Sequence, residues 1–262
     1  MIGALMILGA MSCPARAQQG GADWDARIIH SSGSVTVLLA SEGALKPFLA
    51  EDGLPLSPGD SVKTGHDGSA LLTLSGVHSI TLLRDSKIKI SSVAKSETLL
   101  DLAFGRMLAF ISPLVEGQKL SVETPQAVAA VRGTEFGVDA AASGSSVGVF
   151  DEGHVDVFNP AGKVMIGPNQ ETSIAPGRPP REPRALTNRF LRYRPFLKRL
   201  REQWRQLRRA WPRYAKLDRR VLRRRFMATR RRRPLLRGRR PAFGLPRKDR
   251  ASGRGGRRRG RP

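Results

Sequence analysis

Short alternating apolar runs between residues 34 and 174 constrain the fold of this chain more than any other feature. Turn residues, mostly Gly, Asp and Pro, separate these runs at intervals of about 8–12 residues. In residues 86–90, for example, alternation should turn the two lysines toward water and the two isoleucines toward a core. No pattern typical of a long helix occurs in this region. We therefore expect an all-β domain, a sandwich or coiled β-roll of about ten to twelve short strands.

Charge divides the chain into two parts. Residues 1–177 carry 12 Lys and Arg against 18 Asp and Glu, a net charge of −6. Residues 178–262 carry 34 Lys and Arg against 4 Asp and Glu, a net charge of +30. An acidic globular part is thus followed by a strongly basic one.

The residue types offer little for enzyme chemistry. The single cysteine excludes a disulfide within the chain and a Cys-based metal site. The four histidines lack the spacing of a zinc site, and no nucleophile elbow or phosphate-binding loop is present. We therefore expect no enzyme activity, no cofactor and no metal, and the sequence identifies no small-molecule substrate. The residues concerned are Cys13, His30, His66, His78 and His154.

The N-terminal region is apolar. Residues 1–15 carry no charge and are shorter than the roughly 20 residues that span a bilayer. Pro14 and the small residues around Ala17 favour a signal peptide of residues 1–17, cleaved before Gln18. No Lys or Arg precedes the apolar run, which is atypical and leaves the true start codon open.

Two other interpretations of the N-terminus remain open. Cys13 could be lipidated, although the residues before it form a poor lipobox, or the chain could stay in the cytoplasm. With export, the protein is expected in the periplasm or outside the cell, in part bound to the envelope. Residues 18–33 are then expected to be a linker to the β domain of residues 34–174.

Two segments of the predicted β domain carry a distinctive order of residues. The first lies within residues 56–65, and the second, within residues 124–138, contains Val-Arg-Gly-Thr-x-Phe. With the hairpin predicted over residues 147–157, these segments resemble the FecR domain over roughly residues 34–174. The residues that carry the resemblance are Gly59, Asp60, Thr124, Pro125, Val131, Arg132, Gly133, Thr134 and Phe136.

The resemblance implies signalling rather than catalysis. FecR proteins pass the state of an outer-membrane siderophore receptor to a sigma factor, through a cytoplasmic anti-sigma region and one transmembrane helix. Neither part is recognisable here, so the chain resembles the exported sensor or binding domain alone, with an envelope protein as a candidate partner. An anti-sigma regulator with a misplaced start is an alternative.

Two groups of residues within the β domain are candidate ligand-binding sites. The Arg132 guanidinium could bind a carboxylate or phosphate, but we favour a structural role in which Gly133 permits a turn or bulge and Arg132 pairs with an acid. Residues 151–154 place two carboxylates and an imidazole at a predicted hairpin tip. A solvated tip is favoured there, because adjacent turn residues seldom converge on one point.

Aromatic and apolar residues recur every three or four positions between Phe190 and Tyr214. They predict one amphipathic helix of about 16 residues, bracketed by Pro195 and Pro212, in a basic segment of residues 190–226. A Pro- and Arg-rich linker of residues 175–189 is expected before it.

The predicted helix has a cationic side that suits an anionic membrane or envelope polymer. Two alternatives are that its apolar stripe packs on the acidic β domain and that the helix binds a partner. The candidate surface-binding residues are Lys198, Arg199, Trp204, Arg205, Arg208, Arg209 and Trp211.

Residues 227–262 form an Arg- and Gly-rich segment that we expect to be a disordered tail, since it has too few apolar residues to form a core. The tail would bind nucleic acid if the chain is not exported, and a nucleic-acid-binding protein is therefore a further alternative. Whether the arginines have a selected function is left open.

Overall fold

A computed structural model describes residues 23–40 and 47–232, with side chains up to residue 228. The predicted signal peptide, Cys13 and residues 233–262 lie outside the described residues. Within them the strands are β1 Ala26–Ser32, β2 Val35–Leu38, β3 Phe48–Leu49, β4 Ser61–Thr64, β5 Ser69–Leu74, β6 His78–Leu82, β7 Ser86–Ala94, β8 Glu97–Phe110, β9 Leu120–Glu123, β10 Val128–Val131, β11 Glu135–Ala141, β12 Gly144–Val149, β13 Val155–Asn159, β14 Gly162–Ile166, β15 Gln170–Ile174 and β16 Arg184–Ala185. The helices are α1 Asn188–Leu191, α2 Arg194–Ala215 and α3 Arg219–Arg232.

The strands form two sheets joined by β8. Sheet A has the order β3-β2-β4-β7-β8-β9-β10-β13-β14, and sheet B has the order β1-β5-β6-β8-β11-β12-β15-β16. The first half of β8 pairs with β7 and β9, and its second half pairs with β6 and β11. All pairs are antiparallel except β8 with β9.

Gly105 lies where β8 passes from sheet A to sheet B. Its φ is +94°, and a Cβ there would lie 2.2 Å from Ser86 Oγ. Only glycine can follow this path so close to β7. The main hydrophobic core packs between the sheets and includes Leu100 from β8 and Phe136 from β11.

The all-β fold class is confirmed. Lys89 is exposed, while Ile88 and Ile90 are buried, as alternation in β7 predicts. The strands are more numerous than the expected ten to twelve, because very short pairings such as β3 and β16 also form.

The boundaries expected around the β domain need correction. Residues 26–32 are not linker but form β1, which pairs with β5 and buries Ala26 and Ile28 in the core. A bulge between Ile28 and His30 interrupts the alternation of this strand and hides it in the sequence. The second expected linker, residues 175–189, contains β16 and the start of α1.

The C-terminal segment contains three helices rather than one. Pro195 occupies the first turn of α2 as expected, but Pro212 lies inside the helix, which continues to Ala215. Packing of α2 on the β domain compensates for the lost backbone hydrogen bond. The helix α3 begins beyond Asp218, whose carboxylate accepts the Val221 N–H at 2.8 Å. It continues to Arg232, so the first residues of the expected disordered tail are helical.

No helix within residues 23–40 and 47–232 is both long and apolar enough to cross a bilayer.

His78 is buried in β6 at the edge of the main core. Its Nδ1 accepts the Ser112 N–H at 3.2 Å, and its ring meets the Trp24 ring edge-on at 4.7 Å between centroids. Burial lowers the pKa of His78 from 6.5 to about 4.

This burial predicts that the folded protein loses stability in acid. Between pH 6.5 and about 4 the unfolded chain binds a proton at His78 and the folded chain does not, so the free energy of unfolding falls as the pH is lowered. The loss at His78 amounts to at most about 3 kcal/mol. His78→Asn keeps an acceptor for Ser112 but does not titrate. Urea denaturation at several pH values should give a flatter profile for this variant, and identical profiles would contradict the assignment.

Candidate functional site

Gly59 and Asp60 shape the loop before β4. Gly59 has a φ of +89°, and a Cβ there would lie 2.6 Å from the Ala40 Cβ. Asp60 is fully buried and accepts the backbone N–H groups of Ala40 at 2.9 Å and Ser57 at 2.8 Å. Asp60 is therefore bound within the protein rather than presented to a ligand.

Thr124 and Pro125 occupy the turn between β9 and β10. The Thr124 hydroxyl accepts the Ala127 N–H at 3.1 Å and donates to the Ala127 carbonyl at 2.9 Å. Pro125 is exposed in this turn, and Val131 is buried at the end of β10. These residues fix the turn and the strand that follows it.

Arg132, Gly133, Thr134 and Phe136 do not converge on a common site. Gly133 has a φ of +128°, and a Cβ there would lie 2.6 Å from the Pro113 Cα. Thr134 and Phe136 are buried, while Arg132 is exposed and forms no salt bridge with any described residue. The expected pairing of Arg132 with an acid is therefore not seen in this part of the chain.

The C-terminal helices α1 to α3, residues 188–232, pack on the β domain, and we call this segment the helical strap. Helices α1 and α2 lie on sheet B, and α3 contacts the main core through Phe226 and Met227.

Phe190 of α1 is buried against Gly137 of β11 and Gly148 of β12, which are directly opposite each other in the sheet. A Cβ would lie 3.0 Å from the Phe190 ring at Gly137 and 2.7 Å at Gly148. The two glycines thus form a slot for this ring, and Phe150 closes it edge-on at 6.4 Å between centroids.

The apolar stripe of α2 continues this contact. Leu197, Trp204 and Leu207 are buried. The Trp204 ring packs on Phe110 at 4.3 Å between centroids, and its Nε1 donates to the Val77 carbonyl at 3.2 Å. About two turns after Trp204 in α2, Trp211 covers Gly76. A Cβ at Gly76 would lie 2.3 Å from the Trp211 indole.

Arg201 pairs the middle of α2 with two acids of the β domain. Its guanidinium donates to the buried Glu135 carboxylate and to Asp151 at 2.6 Å. Burial raises the pKa of Glu135, and the hydrogen bond from Arg201 opposes that rise. The hydrogen bonds to Glu135 and then Asp151 raise the pKa of Arg201. The predicted solvated tip at residues 151–154 is thus partly a docking point for the strap.

Arginines of α3 hold the other end of the strap. Arg219 pairs with Asp25 and donates to the Leu56 carbonyl at 2.6 Å. Arg223 reaches the buried Asp60 at 2.6 Å and the Pro55 carbonyl at 3.2 Å. The loop that contains Gly59 and Asp60 is therefore bound by a side chain more than 160 residues later in the chain.

The outer side of the strap is cationic. Lys198, Arg199, Arg205, Arg208 and Arg209 are exposed, whereas the predicted surface-binding residues Trp204 and Trp211 pack on sheet B. Arg208 also stacks on Trp204 at 4.9 Å. The candidate residues therefore divide into an exposed cationic set and an aromatic pair that faces the protein.

Metal binding has no geometric support in residues 23–40 and 47–232, where no three His, Cys, Asp or Glu side chains are grouped to hold an ion.

Residues 60–156, from Asp60 in its loop to Asp156 in β13, match the family described as FecR protein. This segment is a FecR domain. The match is narrower than the resemblance over residues 34–174, and it includes β4 to β12 with most of the shared residues.

Two crystal structures of a candidate anti-sigma factor from Parabacteroides distasonis are also similar to this chain. Each is 18% identical, with a TM-score of 0.44, and the similarity covers 50% of this chain and 62% of that one. This chain thus spans less than two thirds of that protein's length. No curated protein matches the chain.

Several contacts between the FecR domain and the strap have no recognisable signal in the sequence. Nothing in the sequence singled out Glu135, Asp60 as a partner of Arg223, or the slot for Phe190. Gly137 and Gly148 did carry a signal, because a glycine inside a strand often marks a close approach by another group. Two such glycines in consecutive strands are the sequence signal for the slot.

The glycine slot predicts that Gly148→Ala loosens the strap. The added methyl group would overlap the Phe190 ring, and we expect the free energy of unfolding to fall by about 1–3 kcal/mol. Trypsin should also cut the arginine-rich strap faster. Gly167→Ala is the matched control, because its Cβ would meet neighbours only at 3.5 Å.

The double variant tests whether the ring itself is responsible. In a Phe190→Ala background the slot is empty, so Gly148→Ala should cost little further stability. An equal loss with and without the ring would show that the glycine acts through its own strand instead.

Proposed function

We propose that this protein is a non-enzymatic FecR-type binding and sensing module of the cell envelope. A signal peptide of residues 1–17 would direct it to the periplasm or outside the cell. The FecR domain would bind an envelope protein, and the cationic C-terminal part would hold the module near an anionic membrane or envelope polymer. The observation that carries the proposal is the cationic outer side of the docked strap.

The distribution of charge supports this proposal. Residues 188–232 contain 19 Lys and Arg against 2 Asp and Glu, and residues 233–262 add 12 against 1. Arginines such as Arg201 and Arg223 are engaged by the FecR domain, whereas Lys198, Arg205 and Arg209 are exposed on α2. Arg205 also pairs with Glu202 of the same helix at 3.1 Å. A polybasic surface is attracted to anionic lipid by about 1 kcal/mol for each nearby charge.

Packing of the aromatic residues defines how this surface would bind. Trp204 and Trp211 lie against the FecR domain, so the docked strap offers cations but no aromatic wedge to the lipid. We therefore propose attachment through charge alone, with the strap still docked. Such attachment weakens as salt screens the charges.

The positions of the family residues support the proposal that the protein is not an enzyme. Asp60, Thr124, Thr134 and Phe136 are occupied by hydrogen bonds or packing inside the domain. They maintain the fold, which suits a module that works by contact with a partner.

Vesicle binding by the full chain tests the role of the strap. Vesicles of phosphatidylcholine with phosphatidylglycerol should bind the protein, and vesicles of phosphatidylcholine alone should not. Replacing Lys198, Arg205 and Arg209 by Gln should reduce the affinity by up to about a hundredfold, at about 1 kcal/mol for each charge. Tryptophan emission should not shift on binding, because Trp24 is buried in the β domain and the two indoles of the strap stay docked.

The matched control removes the same number of charges from the β domain. Lys63, Lys89 and Lys119 are exposed there, and their replacement by Gln should leave the affinity nearly unchanged. Equal losses in the two triple variants, or equal binding to both kinds of vesicle, would contradict attachment through the strap.

Cell fractionation followed by N-terminal sequencing tests export. A chain that begins at Gln18 in the periplasmic fraction is the expected result. Intact Met1 in the cytosol would contradict export and favour a nucleic-acid partner for the arginine-rich tail.

A further inference from the structure

The outer face of sheet A carries most of the exposed apolar side chains of the β domain. Helices α1 and α2 pack on sheet B, on the opposite side of the sandwich, and therefore leave this face accessible. Eight large apolar residues are exposed within the described part of the chain, and five of them lie at outward positions of sheet A. These five are Leu38, Leu49, Phe104, Phe158 and Met165.

One row of outward side chains crosses this face at the same level on eight neighbouring strands. The pairing register gives the row, in order from β2 to β14, as Leu38, Ser61, Lys89, Asp101, Glu123, Val128, Phe158 and Lys163. The strand β8, which contributes Asp101, is the middle one of the seven strands from β2 to β13. These seven strands extend over about 29 Å, at about 4.8 Å between neighbours.

The row is self-complementary about Asp101. Lys89 lies one strand to one side of β8, and Glu123 lies one strand to the other side. Leu38 lies three strands away on the side of Lys89, and Phe158 lies three strands away on the side of Glu123. A two-fold axis along β8 therefore brings Lys89 of one copy opposite Glu123 of a second copy, and Leu38 opposite Phe158, each of them twice.

The charges at the centre of the row are not used within the chain. Lys89, Asp101 and Glu123 take part in none of the salt bridges found among residues 23–40 and 47–228. Lys63 and Lys87 lie beside Lys89 on β4 and β7, so the positive side of the face is broader than one residue. Opposite charges on the two sides of β8 favour a partner that carries the same pattern in reverse, which is a second copy turned by 180°.

The axis itself passes over apolar side chains. Leu99 and Phe104 lie on β8 on either side of Asp101, and both are at least partly exposed. Each of them would meet its own counterpart in the second copy. Asp101 would also face its counterpart, but Lys89 lies directly opposite it on β7 and offsets the repulsion. Two twisted sheets stack face to face in this way in many β-sandwiches.

We propose that the outer face of sheet A binds a second copy of this chain, with the two-fold axis along β8 and with Lys89 of each copy paired with Glu123 of the other. Helices α1 and α2 of the two copies then lie on opposite outer sides of the dimer, so their positive charges are far apart. This inference goes beyond the proposed function and does not rest on export or on membrane attachment.

Sedimentation velocity of the full chain tests the proposal. Between about 1 and 100 µM the mass should rise from that of one chain to that of two. Lys89→Glu and Glu123→Lys each place like charges opposite each other at two symmetric positions. Each variant alone should therefore raise the dissociation constant of the dimer by about tenfold or more.

An equal mixture of the two charge variants is the decisive sample. In the mixed dimer each introduced glutamate faces an introduced lysine, and each original lysine faces an original glutamate. The mixture should therefore dimerise at concentrations where neither variant does so alone. This recovery also shows that both variants are folded.

Phe158→Asp tests the apolar ends of the row and should weaken the dimer by about tenfold or more. Leu217→Asp is its matched control, because Leu217 is also exposed but follows α2, away from sheet A. Lys216→Glu is the control for the charge variants, since Lys216 is exposed at the end of α2. Both controls should dimerise as the parent chain does.

Three results would overturn the proposal. The first is a single-chain mass at every concentration, as expected if the face binds a different protein. The second is an association that both charge variants retain, as expected if the basic tail of one copy contacts the acidic domain of another. The third is no recovery in the mixture. Loss of the dimer with retained vesicle binding would leave the proposed function intact, and loss of vesicle binding with a retained dimer would refute the proposed function alone.

Discussion

Sheet B is covered on both faces, and the rest of the structure depends on that double burial. One face packs on sheet A to form the main core, and the other packs on the helical strap through a second cluster that includes Leu108, Phe150 and Phe190. Every residue of β6 is buried, as is every residue of β11 except the last. A sheet with this pattern needs a layer on each side, so the strap is part of the folded domain.

Ion pairs also join the helical strap to the β domain. Glu135 and Asp60 are carboxylates withdrawn from water, and each receives an arginine from the strap. A buried charge without its partner is strongly destabilising, although the intact pair adds little by itself. The negative β domain and the positive strap are therefore complementary at particular side chains as well as in net charge.

The sequence predicted the fold where one face of a strand meets water. In β7 the alternation of Lys89 with Ile88 and Ile90 is plain, because sheet A there has a solvated side. In β1 the bulge removes the alternation, so the sequence predicts a linker where the structure has a strand. Local patterns cannot reveal a strand whose identity depends on a distant partner such as β5.

The candidate site was only partly predictable for the same reason. The spacing of Leu197, Trp204 and Trp211 predicts one apolar side of a helix, and packing on the β domain was among the expected alternatives. The spacing does not say which surface that side covers, and Pro212 did not end the helix because tertiary contacts outweigh one missing hydrogen bond. The ion pair between Arg223 and Asp60 joins residues that are 163 positions apart, and local sequence patterns cannot predict such a contact.

The glycine slot has a consequence for biosynthesis. A ribosome completes Gly137 and Gly148 before Phe190, and adds the roughly 40 intervening residues over several seconds at 5–20 residues per second. During that interval the nascent sheet presents an apolar trough to the surrounding solution. The helical strap therefore covers this surface only after the strands beneath it have been synthesised. A protein truncated before Phe190 would emerge with a surface suited to aggregation.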